Sequence, residues 1–149
     1  MYKRILVAVD GSDTSNLALK AAIKLAKEQH AKLRLVHVVD ETPVYTMADV
    51  PLSIVEYQKA MREAGRKELA TCAAKAKAAR AKFDTKFVAI YSLTQRICDV
   101  INKEAKRWPA DLIVIGTHGR RGFNRLVLGS VAEGVIRLAT KPVLVIHGR

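Results

Sequence analysis

Five short apolar runs alternate with segments of helical character, and that alternation constrains the fold of this chain more than any other feature. The runs are residues 5–9 (ILVAV), 33–39 (LRLVHVV), 86–91 (KFVAIY), 111–115 (DLIVI) and 142–146 (PVLVI). Each is short and nearly continuous, as a strand is when both faces of a parallel sheet are covered. Between the first two, Leu19, Ile23 and Ala26 recur at helical spacing behind Ser12 and Asp13, either of which can cap a helix. Residues 54–82 are rich in Ala, Lys, Arg and Glu, which are strong helix formers. Residues 94–108 carry a stripe of Ile97, Val100, Ile101 and Ala105 and stop at Pro109. A last helix is expected from Ser130 to Leu138. The alternation predicts parallel βαβ units, with right-handed crossovers placing helices on both faces of one sheet. No linker or repeat divides the 149 residues, so one domain spanning 1–149 is expected.

Composition narrows the class. Half of the residues are hydrophobic, enough for a sizeable core. No run approaches the roughly 18 apolar residues of a membrane span, and Asp10 interrupts the first apolar run too early for a secretion signal. A cytoplasmic protein without membrane contact is expected. Cys72 and Cys98 lack metal-site spacing and read as small buried thiols. The formal charge of +12 concentrates on Lys59, Arg62, Arg66, Lys67, Lys75, Lys77, Arg80, Lys82 and Lys86. That segment reads as a solvated helix face, with a polyanion-binding surface over 59–86 as the alternative. The segment lacks the aromatic interleaving that single-strand binders use for stacking, which disfavours a nucleic-acid partner.

Chemistry concentrates at two places that follow strands. Asp10 comes just after the first, and Gly116 just after the fourth. In a doubly wound sheet, ligands bind beyond the carboxyl ends of the strands where the winding reverses. If these two strands are neighbours, Asp10 and the loop starting at Gly116 share one ligand. The loop runs to Gly129-Ser130 at a helix start, where free N–H groups and positive partial charge suit a phosphate. Arg120, Arg121 and Arg125 add cationic charge. A carboxylate at Asp10 suits a ribose hydroxyl, or a magnesium ion bridging to phosphates; it can also simply cap the turn with Gly11. No Walker A, GxGxxG or GxSxG pattern is present.

Gly116, Gly119, Gly129 and Ser130 stand in the order Gly, two residues, Gly, nine residues, Gly, Ser. With VAVDGS at the start and LVHVVD in the second run, the chain closely resembles the universal stress protein family over essentially its whole length. The resemblance implies a Rossmann-like open parallel sheet of five strands in the order 3-2-1-4-5. It implies ATP, or AMP or ADP, in the crevice. Ala8, Val9 and Asp10 would lie on the adenine and ribose side, and Val38 would meet the adenine through its backbone. Ile115, Gly116, His118, Gly119, Arg120, Gly129, Ser130 and Val131 would surround ribose and phosphates. A homodimer through residues 143–146 is also implied, which suits an apolar edge strand that needs cover. Ser92-Leu93-Thr94, and Lys141 before Pro142, depart from the family's usual pattern.

The expected function is therefore that of an ATP-binding stress-response or regulatory module. Slow ATP hydrolysis or self-phosphorylation is the alternative, although Asp10 is the only carboxylate that the sequence places near the phosphates, and no general base is evident. His37 is expected to be a satisfied core histidine and Trp108 a packing residue at the end of the sheet away from the ligand. Tyr45 and Met47 are candidates to cover the nucleotide. Gly134 is expected to let the last helix approach the sheet.

Overall fold

A computed structural model describes residues 1–42, 53–118 and 128–148. Its elements in chain order are β1 (Arg4–Ala8), α1 (Asp13–Gln29), β2 (Lys32–Asp40), α2 (Ile54–Ala78), β3 (Lys82–Ile90), α3 (Ile97–Arg107), β4 (Leu112–Gly116), α4 (Ser130–Leu138) and β5 (Val143–Ile146). The strands form one parallel sheet in the order β3-β2-β1-β4-β5. Winding proceeds outward from β1 to β3, then restarts on the other side of β1 with β4. The reversal falls between β1 and β4, which pair through Ile5–Leu112, Leu6–Ile113 and Val7–Val114.

Strand parity divides the core into two layers. Ile5, Val7, Leu33, Leu35, Leu112 and Val114 point toward α1 and α2, where Ala18, Leu19, Ala22, Leu69 and Cys72 receive them. Leu6, Val36, Ile113 and Ile115 point toward α3 and α4 and meet Cys98, Ile101, Ala105, Ala132 and Val135. Both cysteines are buried free thiols, as expected. Alanine dominates the sheet-facing stripe of α1, which brings that helix close to the strands. Gly65 does the same for α2, because a Cβ there would lie 2.7 Å from Val39 and 2.9 Å from both His37 and Phe87.

Several boundaries differ from the sequence expectation. Helix α2 stops at Ala78, and β3 starts at Lys82 rather than Lys86. No glycine or proline marks this break. It is made by Arg80 in the left-handed conformation (φ 57°) and by nine consecutive pairings of β2 with β3, from Lys32–Lys82 to Asp40–Ile90. Pairing and the packing of Phe83 against the α1/α2 core outweigh the helix propensity of the Ala-Lys run. Helix α3 begins at Ile97, not Thr94, because the Asp99 carboxylate accepts the Arg96 N–H (3.1 Å) and closes the first turn. Strand β4 extends one residue further than expected, to include Gly116.

Arg34, inside an apolar run, has a specific environment that the run does not reveal. Its guanidinium donates to both Asp84 oxygens (2.6 and 3.1 Å) and to Glu104 (2.8 Å), and lies 4.7 Å from the centre of the Trp108 ring. Burial pushes the Asp84 carboxyl up, but hydrogen bonds from Arg34 and Lys32 outweigh it and hold that carboxyl below its ordinary range. Trp108 is thus a packing residue, joined to β2 by a cation–π contact.

Candidate functional site

The site is built where the winding reverses, from the turn after β1 and the turn after β4. Asp10 starts the first turn. Its Oδ1 accepts the Ser12 N–H (2.9 Å), and its own N–H donates to Ser15 Oγ (3.0 Å). Ser12 then caps α1, with its hydroxyl accepting the Ser15 N–H. Gly11 sits at φ 78°, a conformation that favours glycine. So Asp10 does shape the turn.

The second turn is tied to the first. Gly116 ends β4 against the first turn of α1, where a Cβ would fall 2.7 Å from the Thr14 carbonyl carbon and 2.8 Å from its oxygen. The Thr14 hydroxyl donates to the His118 carbonyl, and Ser12 Oγ reaches the same oxygen (3.3 Å). Thr117 N–H donates to Ile146 O (2.9 Å), and Gly129 N–H donates to Thr117 O (2.7 Å). A Cβ on Gly129 would meet that same Thr117 oxygen at 2.8 Å. Two of the three signature glycines are therefore required by the chain's own packing. The sequence suggests close approach to a ligand; the structure adds close approach of backbone to backbone.

Helix α4 opens at this junction. Its N-cap is Gly129, which brings no capping side chain to the first N–H groups. His118 is half-buried; its Nδ1 is 2.9 Å from Thr117 Oγ1, while its buried Nε2 has no hydrogen-bond partner among the described residues. Ala8 and Val38 lie half-buried on the α3/α4 side of the sheet, against the same core as Leu128, Val131 and Ile97. An apolar floor thus adjoins a set of polar backbone and side-chain groups.

The expected residues do not all converge. Asp10, Gly116, His118 and Gly129 belong to the linked turns, Ser130 opens α4 beside them, and Ala8, Val38 and Val131 lie on the α3/α4 side. Ile115 is buried within the core on that side. The side chain of Val9 belongs to the opposite layer; only its backbone is near, and its carbonyl pairs with His37 Nδ1 (2.7 Å). His37 is the expected core histidine, stacked on Phe87. Gly119, Arg120, Arg121, Arg125, Tyr45 and Met47 lie outside the described residues. Gly134 packs differently from expectation: its close neighbour is Cys98 of α3, whose Sγ would lie 2.5 Å from a Cβ, so the glycine joins the two helices rather than helix and sheet.

Sequence reading missed Glu68. Its carboxyl atoms lie 2.6–2.9 Å from where a Gly11 Cβ would be, so Asp10 is not the only carboxylate at this turn. Its position on α2, 57 residues along the chain, carries no local signal. The charged face of α2 also carries more internal partners than a solvated face would. Arg62 pairs with the buried Glu41, Arg66 lies 4.4 Å from the Phe87 ring centre, and Lys75 donates to Asn16 (2.7 Å).

The fold and the paired turns define a doubly wound α/β protein with its candidate site at the topological switch point. The sequence profile of the Universal stress protein family matches residues 1–147, and the chain belongs to that family. Universal stress protein YxiE of Bacillus subtilis is 36% identical over 153 residues, covering 99% of this chain and all of the relative. A solved universal stress protein from Burkholderia pseudomallei is 34% identical with a TM-score of 0.77, covering 99% of this chain and 97% of its own. A universal stress protein solved in complex with cAMP is 27% identical (TM-score 0.66; 98% and 97% covered). One from Archaeoglobus fulgidus in complex with dAMP is 25% identical (TM-score 0.67; 97% and 98% covered). No helix among the described residues is long and apolar enough to cross a membrane.

Proposed function

We propose that this protein binds an adenine nucleotide, ATP in the first instance, between the two turns and acts as a nucleotide-dependent regulatory module. The observation that carries the reading is the uncapped start of α4 beside the junction between Asp10–Thr14 and Gly116–His118. Free helix N–H groups at Ser130 and Val131 suit phosphates. The Nε2 of His118 supplies a further polar atom in need of a partner. Ala8 and Val38 suit the adenine face, and Asp10 suits a ribose hydroxyl. Gly119 and Arg120 complete the phosphate side by their place in the signature. Relatives solved with cAMP and dAMP support the same ligand class. No three His, Cys, Asp or Glu side chains among the described residues cluster to hold a metal. A magnesium ion would therefore share Asp10 with phosphate oxygens and water.

The test is a calorimetric titration of ATP with magnesium into protein stripped of nucleotide. One site per chain is expected, with a raised melting temperature at saturation. No heat and no thermal shift at millimolar ATP would sink the reading. Hydrolysis is a second reading, favoured only by Glu68 beside Gly11. Phosphate release that survives in the wild type but vanishes in Glu68→Gln would support it.

We also propose a homodimer through β5. Leu144 on that strand is 37% exposed, and Leu17 of α1 is 41% exposed. Leu17 lines a groove of about 550 Å³ with Ala21 and Ile146. Sedimentation should give a dimer that Leu144→Arg dissociates; a monomeric wild type would refute the interface.

A further inference from the structure

We propose that the amino edge of the sheet carries a second anion site, for a compact polyphosphate. It lies at the opposite end of the strands from the nucleotide crevice and does not depend on it. Helices α1 and α2 both end at this edge, each closed by a residue in the left-handed conformation: His30 (φ 51°) and Arg80 (φ 57°). The His30 N–H meets the carbonyls of Ala26 and Lys27, and Ala31 N–H donates to Ala26 O (2.8 Å). Arg80 N–H donates to Lys77 O (2.9 Å), and Ala81 N–H to Ala76 O (3.1 Å). Glycine is the usual residue in such caps because it lacks the Cβ that crowds this conformation. Both positions instead carry a basic side chain, at the cost of backbone strain.

The two caps border one hollow of about 230 Å³. Alanines line it together with Lys27, His30, Arg80 and Lys82, and no carboxylate does. None of these four basic side chains makes an ion pair with another described residue. The acids nearest in the chain are engaged elsewhere. Glu28 faces Lys24 at 4.0 Å, and Asp84 is held by Lys32 (2.8 Å) and Arg34. The helix C-termini contribute roughly half a negative charge each. Three fixed positive charges, on Lys27, Arg80 and Lys82, exceed that opposing potential, and the caps already satisfy carbonyls that carry it.

The lining selects among anions. Alanine walls let an oxyanion come close, and Arg80 offers a planar fork of donors suited to phosphate. No Phe, Tyr or Trp lines the hollow, so a base would have only the His30 ring or the Arg80 plane to stack on. Recognition would be of phosphate charge in a small volume, which fits a short polyphosphate better than a nucleic acid.

Inorganic tripolyphosphate titrated into the full-length, 15N-labelled protein tests this by amide chemical shifts. Saturable shifts centred on the amides of 27–31 and 80–82 are expected, with affinity reduced at least about tenfold in Lys27→Gln/Arg80→Gln/Lys82→Gln, which removes three charge-assisted contacts. Arg80→Gly separates site from scaffold: it should weaken binding yet raise the melting temperature by about 2–4 °C as the strain is relieved. The proposal is overturned by shifts confined to 116–118 and 129–131, by unchanged affinity in the triple variant, or by the absence of saturation. A single-stranded oligonucleotide that moves the same amides more tightly than tripolyphosphate at equal phosphate would replace it with nucleic-acid binding.

Discussion

The two ends of the sheet treat glycine in opposite ways. At the carboxyl edge, Gly11 occupies a left-handed turn, and Gly116 and Gly129 stand where a Cβ would strike backbone. At the amino edge, His30 and Arg80 occupy left-handed positions that would suit glycine, and carry side chains instead. One edge has given up side chains so that two turns can touch. The other keeps them at a conformational cost. Local strain retained in a fold is a reason to look for function, and here it marks an edge that the nucleotide reading leaves unused.

The comparison breaks most directly at Gly116. Gly116→Ala should destabilise by about 3 kcal/mol, because the new Cβ meets the Thr14 backbone rather than a movable side chain. Urea unfolding would show it, and a neutral result would mean that the two turns are not locked together. The next effect concerns pH. Burial, then the neighbouring Glu68 carboxylate, push the Cys72 thiol up to about 11 from an ordinary 9.0. The folded state favours the neutral thiol, so its contribution is complete below pH 9 and is lost as pH rises toward 11. The loss is on the order of 2 kcal/mol, seen as a steeper alkaline decline in wild type than in Cys72→Ala. Equal slopes would contradict it.

Gly134 sharpens the contrast, since its close neighbour is a side chain. Gly134→Ala should cost roughly 1–2 kcal/mol despite better helix propensity. Adding Cys98→Ala should recover part of that loss in a double-mutant cycle. Additive effects would mean that α3 and α4 do not meet there. Smallest is the cap of α1: Ser12→Ala should cost about 1 kcal/mol in thermal unfolding, with a sign opposite to Arg80→Gly at the other end of the sheet.

Much of this architecture is legible along the chain. The apolar runs locate the five strands of the described sheet, and Gly116 and Gly129 mark the turn that meets Ser12 and Thr14. Other features were not legible because their causes are distant in sequence. Glu68 reaches Gly11 from another helix. Arg34 reads as an interruption of a strand until Asp84, Glu104 and Trp108 surround it. Val9 stands beside Ala8 in sequence, yet strand parity sends its side chain into the opposite layer.

By itself, the sequence determined the order of elements, the parallel α/β class and the two turns that form the candidate site, since periodicity and turn chemistry are short-range properties. Tertiary structure decided where α2 stops and β3 begins, because an Ala-Lys run without a breaker yields only to nine pairings with β2. It also decided that Gly116 and Gly129 face the chain's own backbone, and that four basic residues from two helix ends and a strand border one hollow. Those outcomes depend on which surfaces are brought within contact distance, and that is set by the packed sheet rather than by neighbours in sequence.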